Sequence, residues 1–319
     1  MKTPLPMMSL ALCLALACAH AAAQYPAKPV RLVVPYVAGG ASDTAARTLG
    51  QALSKSLGQP VLVENRPGAN GAIAAQAVLA SPPDGYTLLW GVASMVALPQ
   101  LQKNVPFESL AEFTPVAIVG RFAYSLFVYP GIPAKSVAEL TAYARANPGK
   151  LSYASSGWGE YMTAAQFLKA SGIAMERVPY KGGAQALSDL LAGRVQVTIG
   201  PTSNGIQYAK TGQLRMLAVL SPQRSALAPD VPTLDEAGVP GVSVPTWQAI
   251  FGPPKMPREI ADRLVRETGL ALRDPELRAK FEQQSLQAVG STPEVLAATI
   301  KEDLRAWSQF IRDNGITPE

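Results

Sequence analysis

The sequence is almost without histidine and cysteine. His20, Cys13 and Cys18 are the whole supply, and all three stand before Ala21. That stretch reads as an export signal. Lys2 gives a positive start, residues 7–17 form an apolar segment too short to span a bilayer, and Ala21-Ala22-Ala23 fits a small-residue cleavage site before Gln24. Cleavage there leaves 296 residues with 27 basic and 23 acidic side chains and neither His nor Cys. Such a chain has no disulfide, no thiol nucleophile, no imidazole base and no His- or Cys-based zinc site. It also lacks a G-x-S-x-G elbow, an S-x-x-K spacing and a Walker A sequence, and its turn Gly39-Gly40 is not a G-x-G-x-x-G fingerprint. An enzyme reading is left with carboxylates alone. No second apolar run of spanning length follows, so the expectation is a soluble protein exported to the periplasm. A lipoprotein anchored at Cys18 has weaker support, because the Leu expected three residues before the Cys is missing. Lys and Arg are spread out, which gives no support to nucleic acid or a membrane surface as partner.

What is present is a strand, a glycine turn and a helix start, repeated. Residues 31–35 (RLVVP) form a β-branched apolar run without helical spacing and predict a strand. Gly39-Gly40 then makes a turn that a side chain would obstruct. Ser42 and Asp43 suit a helix N-cap, Ala45, Leu49, Ala52, Leu53 and Leu57 recur at helical spacing, and Gly58 stops the helix. The free N–H groups of such a turn suit an anion, although every plain βα connection has a turn of this kind. Further strands are predicted over 60–64, 86–91, 114–120, 124–129, 151–155, 177–180, 195–200, 214–220 and 246–252. Their alternation with helices predicts parallel sheets, and the length predicts two domains. Beyond residue 252 the pattern becomes helical, over 257–272, 275–284 and 293–313. The last of these places Leu296, Ile300, Leu304, Trp307 and Ile311 on one packing stripe. Turn chemistry like that of Gly39-Gly40 recurs at 68–71, 157–159, 182–183 and 202–205. Ligands of parallel sheets bind beyond the carboxyl ends of the strands. Two facing domains would therefore bring several helix N-termini onto one cleft, able to hold a small anion with little help from Arg.

The stretches PYVAGGASDTAAR, LGQPVLVENRPGANG, PPDGYTLLWG, PAKSVAELTAYARANPGKLSYAS, VPYKGGAQALSDLLAGRVQV, GQLRMLAV and VPTLDEAGVPG resemble the Bug-type extracytoplasmic solute receptors of tripartite tricarboxylate transporters. The resemblance covers essentially the whole chain after the leader. It implies a type II periplasmic-binding-protein fold, with two α/β domains joined by two crossing strands and the ligand cleft between them. The implied division is a first domain of residues 24–123 and 246–319 and a second of residues 124–245. It further implies a monomeric, cofactor-free binding protein that captures a small organic carboxylate and delivers it to the membrane subunits of such a transporter. An orphan receptor feeding a sensor is the alternative. By position, the carboxylate is met by Tyr36, Gly39, Gly40, Ala41, Ser42 and Asp43 of the first loop and by Ser94. On the second domain the matching positions are Ser155, Ser156, Gly157 and Trp158, then Tyr180, Lys181, Gly182 and Gly183, then Thr202 and Ser203. The chain departs from the family after the YAS strand. Gly157-Trp158-Gly159-Glu160-Tyr161-Met162 replaces Gly-x-Gly-Ser/Thr with a following His, and Gln196 stands where an Asp is common. The scaffold carries over these changes, but no single member's ligand does.

Several of these residues have two readings. Asp43 is an N-cap first and a ligand contact second. Trp158, in a turn, is expected to line the cleft rather than to plug a surface or domain seam, since turns sit at the surface. A flat indole there would favour planar or apolar monocarboxylates over tricarboxylates. Trp247 divides between hinge packing and cleft wall, Tyr36 between core and ligand, and Lys181 between solvent and ligand. Glu160 is expected to point away from an anion site or to pair with a base.

Overall fold

The computed structural model describes residues 25–180, 182–221, 223–225, 227–242 and 245–318. The expected leader, with Cys18, and Lys181 lie outside the described residues. Strand β1 (Val30–Val34) is buried except at Arg31, as befits a parallel strand covered on both faces. It leads into α1 (Ala41–Leu57), whose Ala45, Leu49 and Leu53 are buried and which ends at Gly58 with φ 72°, a left-handed cap that glycine adopts freely. The first series continues through β2 (Val61–Asn65), α2 (Ala72–Leu79), β3 (Thr87–Val92), the short α3 (Leu98–Leu101) and β4 (Thr114–Phe122). A second series follows: β5 (Tyr124–Val128), α4 (Val137–Ala146), β6 (Ser152–Ser155), α5 (Trp158–Ser171), β7 (Glu176–Pro179), α6 (Gly183–Leu191), β8 (Val197–Pro201), α7 (Thr202–Lys210) and β9 (Arg215–Leu220). The chain closes with β10 (Trp247–Gly252), α8 (Arg258–Ala271), α9 (Pro275–Gln283), β11 (Leu286–Ala288) and α10 (Pro293–Asp313).

The two sheets repeat one plan. The first runs β11-β4-β10-β3-β1-β2 and the second β7-β6-β8-β5-β9. In each, three parallel strands stand in the order second, first, third. An antiparallel strand takes the next place, β10 in the first sheet and β5 in the second. Each inserted strand arrives from the other sheet. β4 passes the chain to β5 across Ala123 alone, and β9 passes it to β10 through residues 221–246. Backbone bonds gather at the crossing. Phe122 N–H donates to the Thr246 carbonyl (3.2 Å), Ala123 N–H to that of Ser285 (3.1 Å) and Thr202 N–H to that of Ala123 (2.8 Å).

The C-terminal helices pack on the first sheet, not the second. Leu264, Phe281, Leu296, Ile300 and Trp307 share one buried cluster with Leu32, Leu89 and Ile250. The second sheet has its own apolar clusters around Leu126 and Phe127. Two details differ from the sequence expectation. Helix α1 begins at Ala41 with Gly40 as N-cap, so Ser42 and Asp43 lie inside its first turn. β11 was not expected, because three residues show no period. It pairs with β4 where Gly120 leaves room: a Cβ there would stand 2.6 Å from the Gln287 carbonyl oxygen. Among the described residues no helix is long and apolar enough to cross a membrane.

Candidate functional site

The helices that follow parallel strands start without side-chain caps. α1, α2, α5 and α6 begin after Gly40, Gly71, Gly157 and Gly182, and α7 after Pro201, none with a side-chain cap. α4, α9 and α10 are capped by Ser136, Asp274 and Thr292. An uncapped start leaves its first N–H groups to water or to a ligand, at the positive end of the helix dipole. Three of these starts come together on the second domain. A Cβ on Gly183 would stand 3.4 Å from Asn204 Nδ2 and 3.8 Å from Ser156 Oγ. Ser156, Glu160, Gly183, Gly200 and Asn204 line one narrow cavity over a floor that includes Phe127, Leu190 and Leu214.

On the first domain the loop before α1 is stiffened by Asp43. Its carboxylate accepts from Gly39 N–H (2.9 Å), Arg47 Nε (3.0 Å) and Asn65 Nδ2 (2.8 Å). Burial opposes the charge, but Arg47, Gly39 and Asn65 outweigh it and hold the carboxyl below the usual range. Asp43 is therefore not the N-cap. It reaches back from the first turn to the N–H of the residue before the cap and so closes the loop ahead of the helix. Ser42 Oγ donates to Gln248 Oε1 (3.0 Å), which also accepts from Trp90 Nε1 (2.8 Å), so the loop is fastened to crossing strand β10. Tyr36 enters no core. Its residue is 39% exposed, while its hydroxyl lies beside Ser94, and burial of that hydroxyl raises its pKa, with Glu160 adding to the rise.

Tyr36 of the first loop is thus close enough to Glu160 to feel its charge. The Glu160 carboxylate also couples to the buried Tyr124 hydroxyl, and Tyr124 Oη would stand 3.4 Å from a Cβ on Gly159. Glu160 borders the cavity instead of pointing away, and among the described residues it pairs with no base. Its Oε2 accepts from the Ser156 N–H and, at 2.7 Å, from the Ser156 hydroxyl. Burial pushes its pKa up, only partly countered by Ser156. The sequence reading missed Glu160, Tyr124 and Asn204 as cleft residues.

Other expected contacts are committed elsewhere. Ser155 is 1% exposed and its Oγ accepts from Arg177 Nε (2.9 Å). Thr202 is fully buried, with its Oγ1 2.6 Å from Ser125 Oγ. Tyr180 donates to Asp189 Oδ2 (2.9 Å) on its own domain's α6. Ser203 Oγ is buried and has no hydrogen-bond partner among the described residues. Trp247 is not a cleft wall: its ring is fully buried in the first core, and its Nε1 donates to Asp303 Oδ2 (2.6 Å). Asp303 is itself pushed up to about 6 by burial, against the opposing pull of Trp247 and Arg121. Trp158 lies on the domain seam. It packs on the first core and on Tyr161 (6.0 Å between centroids), which meets Phe310 of α10 (5.8 Å). Arg177 covers both indole and phenol. Helix α5 begins at Trp158 itself, so the ring follows the seam-facing side of the first turn and the indole-wall argument for ligand shape loses its basis.

Two α/β domains of one strand order, joined by two crossings, define a bilobal binding protein of the periplasmic type. The family model described as "Tripartite tricarboxylate transporter family receptor" matches residues 45–316. The chain belongs to that family. It is 34% identical over 296 residues to protein BugT of Bordetella pertussis, covering 91% of this chain and 90% of BugT. Among solved structures it is similar to R. palustris Rpa4515 with adipate (TM-score 0.86, 32% identity, 92% of this chain and 100% of that one). It is also similar to MatC of Rhodopseudomonas palustris with bound malate (TM-score 0.80, 28% identity, 90% and 100%).

Proposed function

We propose that the protein is a periplasmic receptor that captures a small organic carboxylate between its domains and hands it to the membrane subunits of a tripartite tricarboxylate-type transporter. The observation that carries this is the convergence of uncapped helix N-termini on one cleft in a chain of this family. The site consists of the first loop, Tyr36 and Gly39 to Asp43, with Ser94, opposed by Ser156, Gly157, Gly182, Gly183 and Ser203. Domain limits of 24–123 with 246–319, and of 124–245, accord with the two sheets. Residues 1–23 are the export signal, cleaved near Ala23-Gln24, and the receptor works as a monomer. The adipate and malate carried by related structures support the ligand class.

A neutral amide cannot exploit a helix dipole as a carboxylate does. A thermal-shift screen of mono-, di- and tricarboxylates, each beside its amide or methyl ester, is expected to raise the melting temperature with certain acids only. Equal stabilisation by an acid and its amide would count against the proposal.

A further inference from the structure

We propose that Glu160 sets the ligand class of the cleft: the acid it accepts carries a hydrogen-bond donor, an ammonium or hydroxyl group, at the end away from its carboxylate, and dicarboxylates are disfavoured. This rests on the receptor reading above.

The two domains carry the same device in different states of charge balance. In each, an acidic residue in the third position of a helix reaches back four residues to a loop N–H, Asp43 to Gly39 and Glu160 to Ser156. Asp43 is closed off. Arg47 and Asn65 take its oxygens, and the side chain is 4% exposed. Among the described residues Glu160 has Ser156 alone, bonded at Oε2. Among the described residues its Oε1 has no donor and no cation within ion-pair distance. Arg177, a basic residue of the same domain, lies over the rings of Tyr161 and Trp158 and gives its Nε to Ser155. Oε1 faces Gly200, where a Cβ would come within 3.1 Å of it. It borders the cavity shared with Gly183 and Asn204, whose space of about 20 Å³ admits a group the size of a water or an ammonium.

Two hydroxyls lie close enough to Glu160 to feel its charge: that of Tyr36 on the first loop and that of Tyr124, which would stand 3.4 Å from a Cβ on Gly159. A ligand whose carboxylate sits at the first loop therefore presents its far end to a carboxylate that has no cation partner among the described residues. A second carboxylate there sets like charges side by side, which is unfavourable. A donor instead satisfies the free oxygen, and an ammonium also cancels the charge. The expected ligand differs in this respect from adipate and malate, both dicarboxylates.

The test is calorimetry on the full mature chain with butyrate, valerate and hexanoate, each beside its ω-hydroxy, ω-amino and ω-carboxy forms. With the wild type, an ω-amino or ω-hydroxy acid is expected to bind at least about tenfold tighter than the dicarboxylate of the same skeleton. Glu160→Gln keeps an acceptor for Ser156 while removing the charge. It is expected to weaken the ω-amino acid by roughly tenfold and to strengthen the dicarboxylate. The wild-type ratio decides the matter even if the variant is unstable. Acids that bind with the dicarboxylate tightest, or a ratio unmoved by Glu160→Gln, overturn the assignment of Glu160 and leave the receptor reading standing. No binding by any acid of the panel overturns the receptor reading, and this inference with it.

Discussion

Asp43→Ala is expected to weaken acid binding by at least about tenfold and to lower stability by roughly 1–3 kcal/mol, the scale of losing hydrogen bonds to a buried charged group. The side chain holds Gly39 N–H, Arg47 and Asn65 at once, so without it the loop that presents the first helix start loses its fixed shape. Binding then bears the cost of ordering it. The stability loss has a definite pH dependence. The folded carboxyl titrates below its unfolded value because Arg47, Gly39 and Asn65 outweigh burial. Its contribution is thus present above the unfolded pKa and lost as pH falls through the folded one. Denaturant titrations of wild type and Asp43→Ala should differ at neutral pH and converge in strong acid. An unchanged affinity in the variant, with its helix content intact, would mean the loop does not hold the ligand.

Trp307→Ala is expected to cost about 3–5 kcal/mol, the range for deleting a fully buried large aromatic. Trp307 is 0% exposed and stands on α10, yet it belongs to the core of the first sheet. It meets Phe310 edge-on at 5.9 Å. Its indole N–H is buried without an acceptor among the described residues, so Trp307→Phe keeps most ring contacts and removes only an idle donor. That variant should lose less than about 2 kcal/mol. The contrast, read from urea midpoints at constant slope, tests whether the last helix is an integral wall of the first domain. A loss below about 1 kcal/mol for Trp307→Ala would make it a peripheral appendage.

The repeated strand-turn-helix order was legible because period and punctuation are local properties. Predicted strands agree with β1 to β10 within one or two residues, and the end of βα order after residue 252 marks where the chain has returned to the first sheet. What was not legible is which way a side chain faces once two domains meet. Ser155 and Thr202 have the polarity of ligand contacts, but the sheet buries them and other side chains take their hydroxyls. Trp158 and Trp247 have cleft-like chemistry and are used as packing. Glu160 did leave a signal: Gly39 to Asp43 and Ser156 to Glu160 have the same spacing, the mark of a helix start whose own acid folds back on it. That Glu160 finds no base among the described residues is a property of three-dimensional placement, and only the fold shows it.

The most direct test of the account is a crystal structure of the mature protein with the acid that stabilises it most. The expected result is the acid between the two sheets, its carboxylate within hydrogen-bond distance of N–H groups in the loop before Ala41 and its far end against Ser156, Glu160 and Gly183. An acid bound outside that cleft, or held there by side chains with no contact to the helix starts, would contradict it.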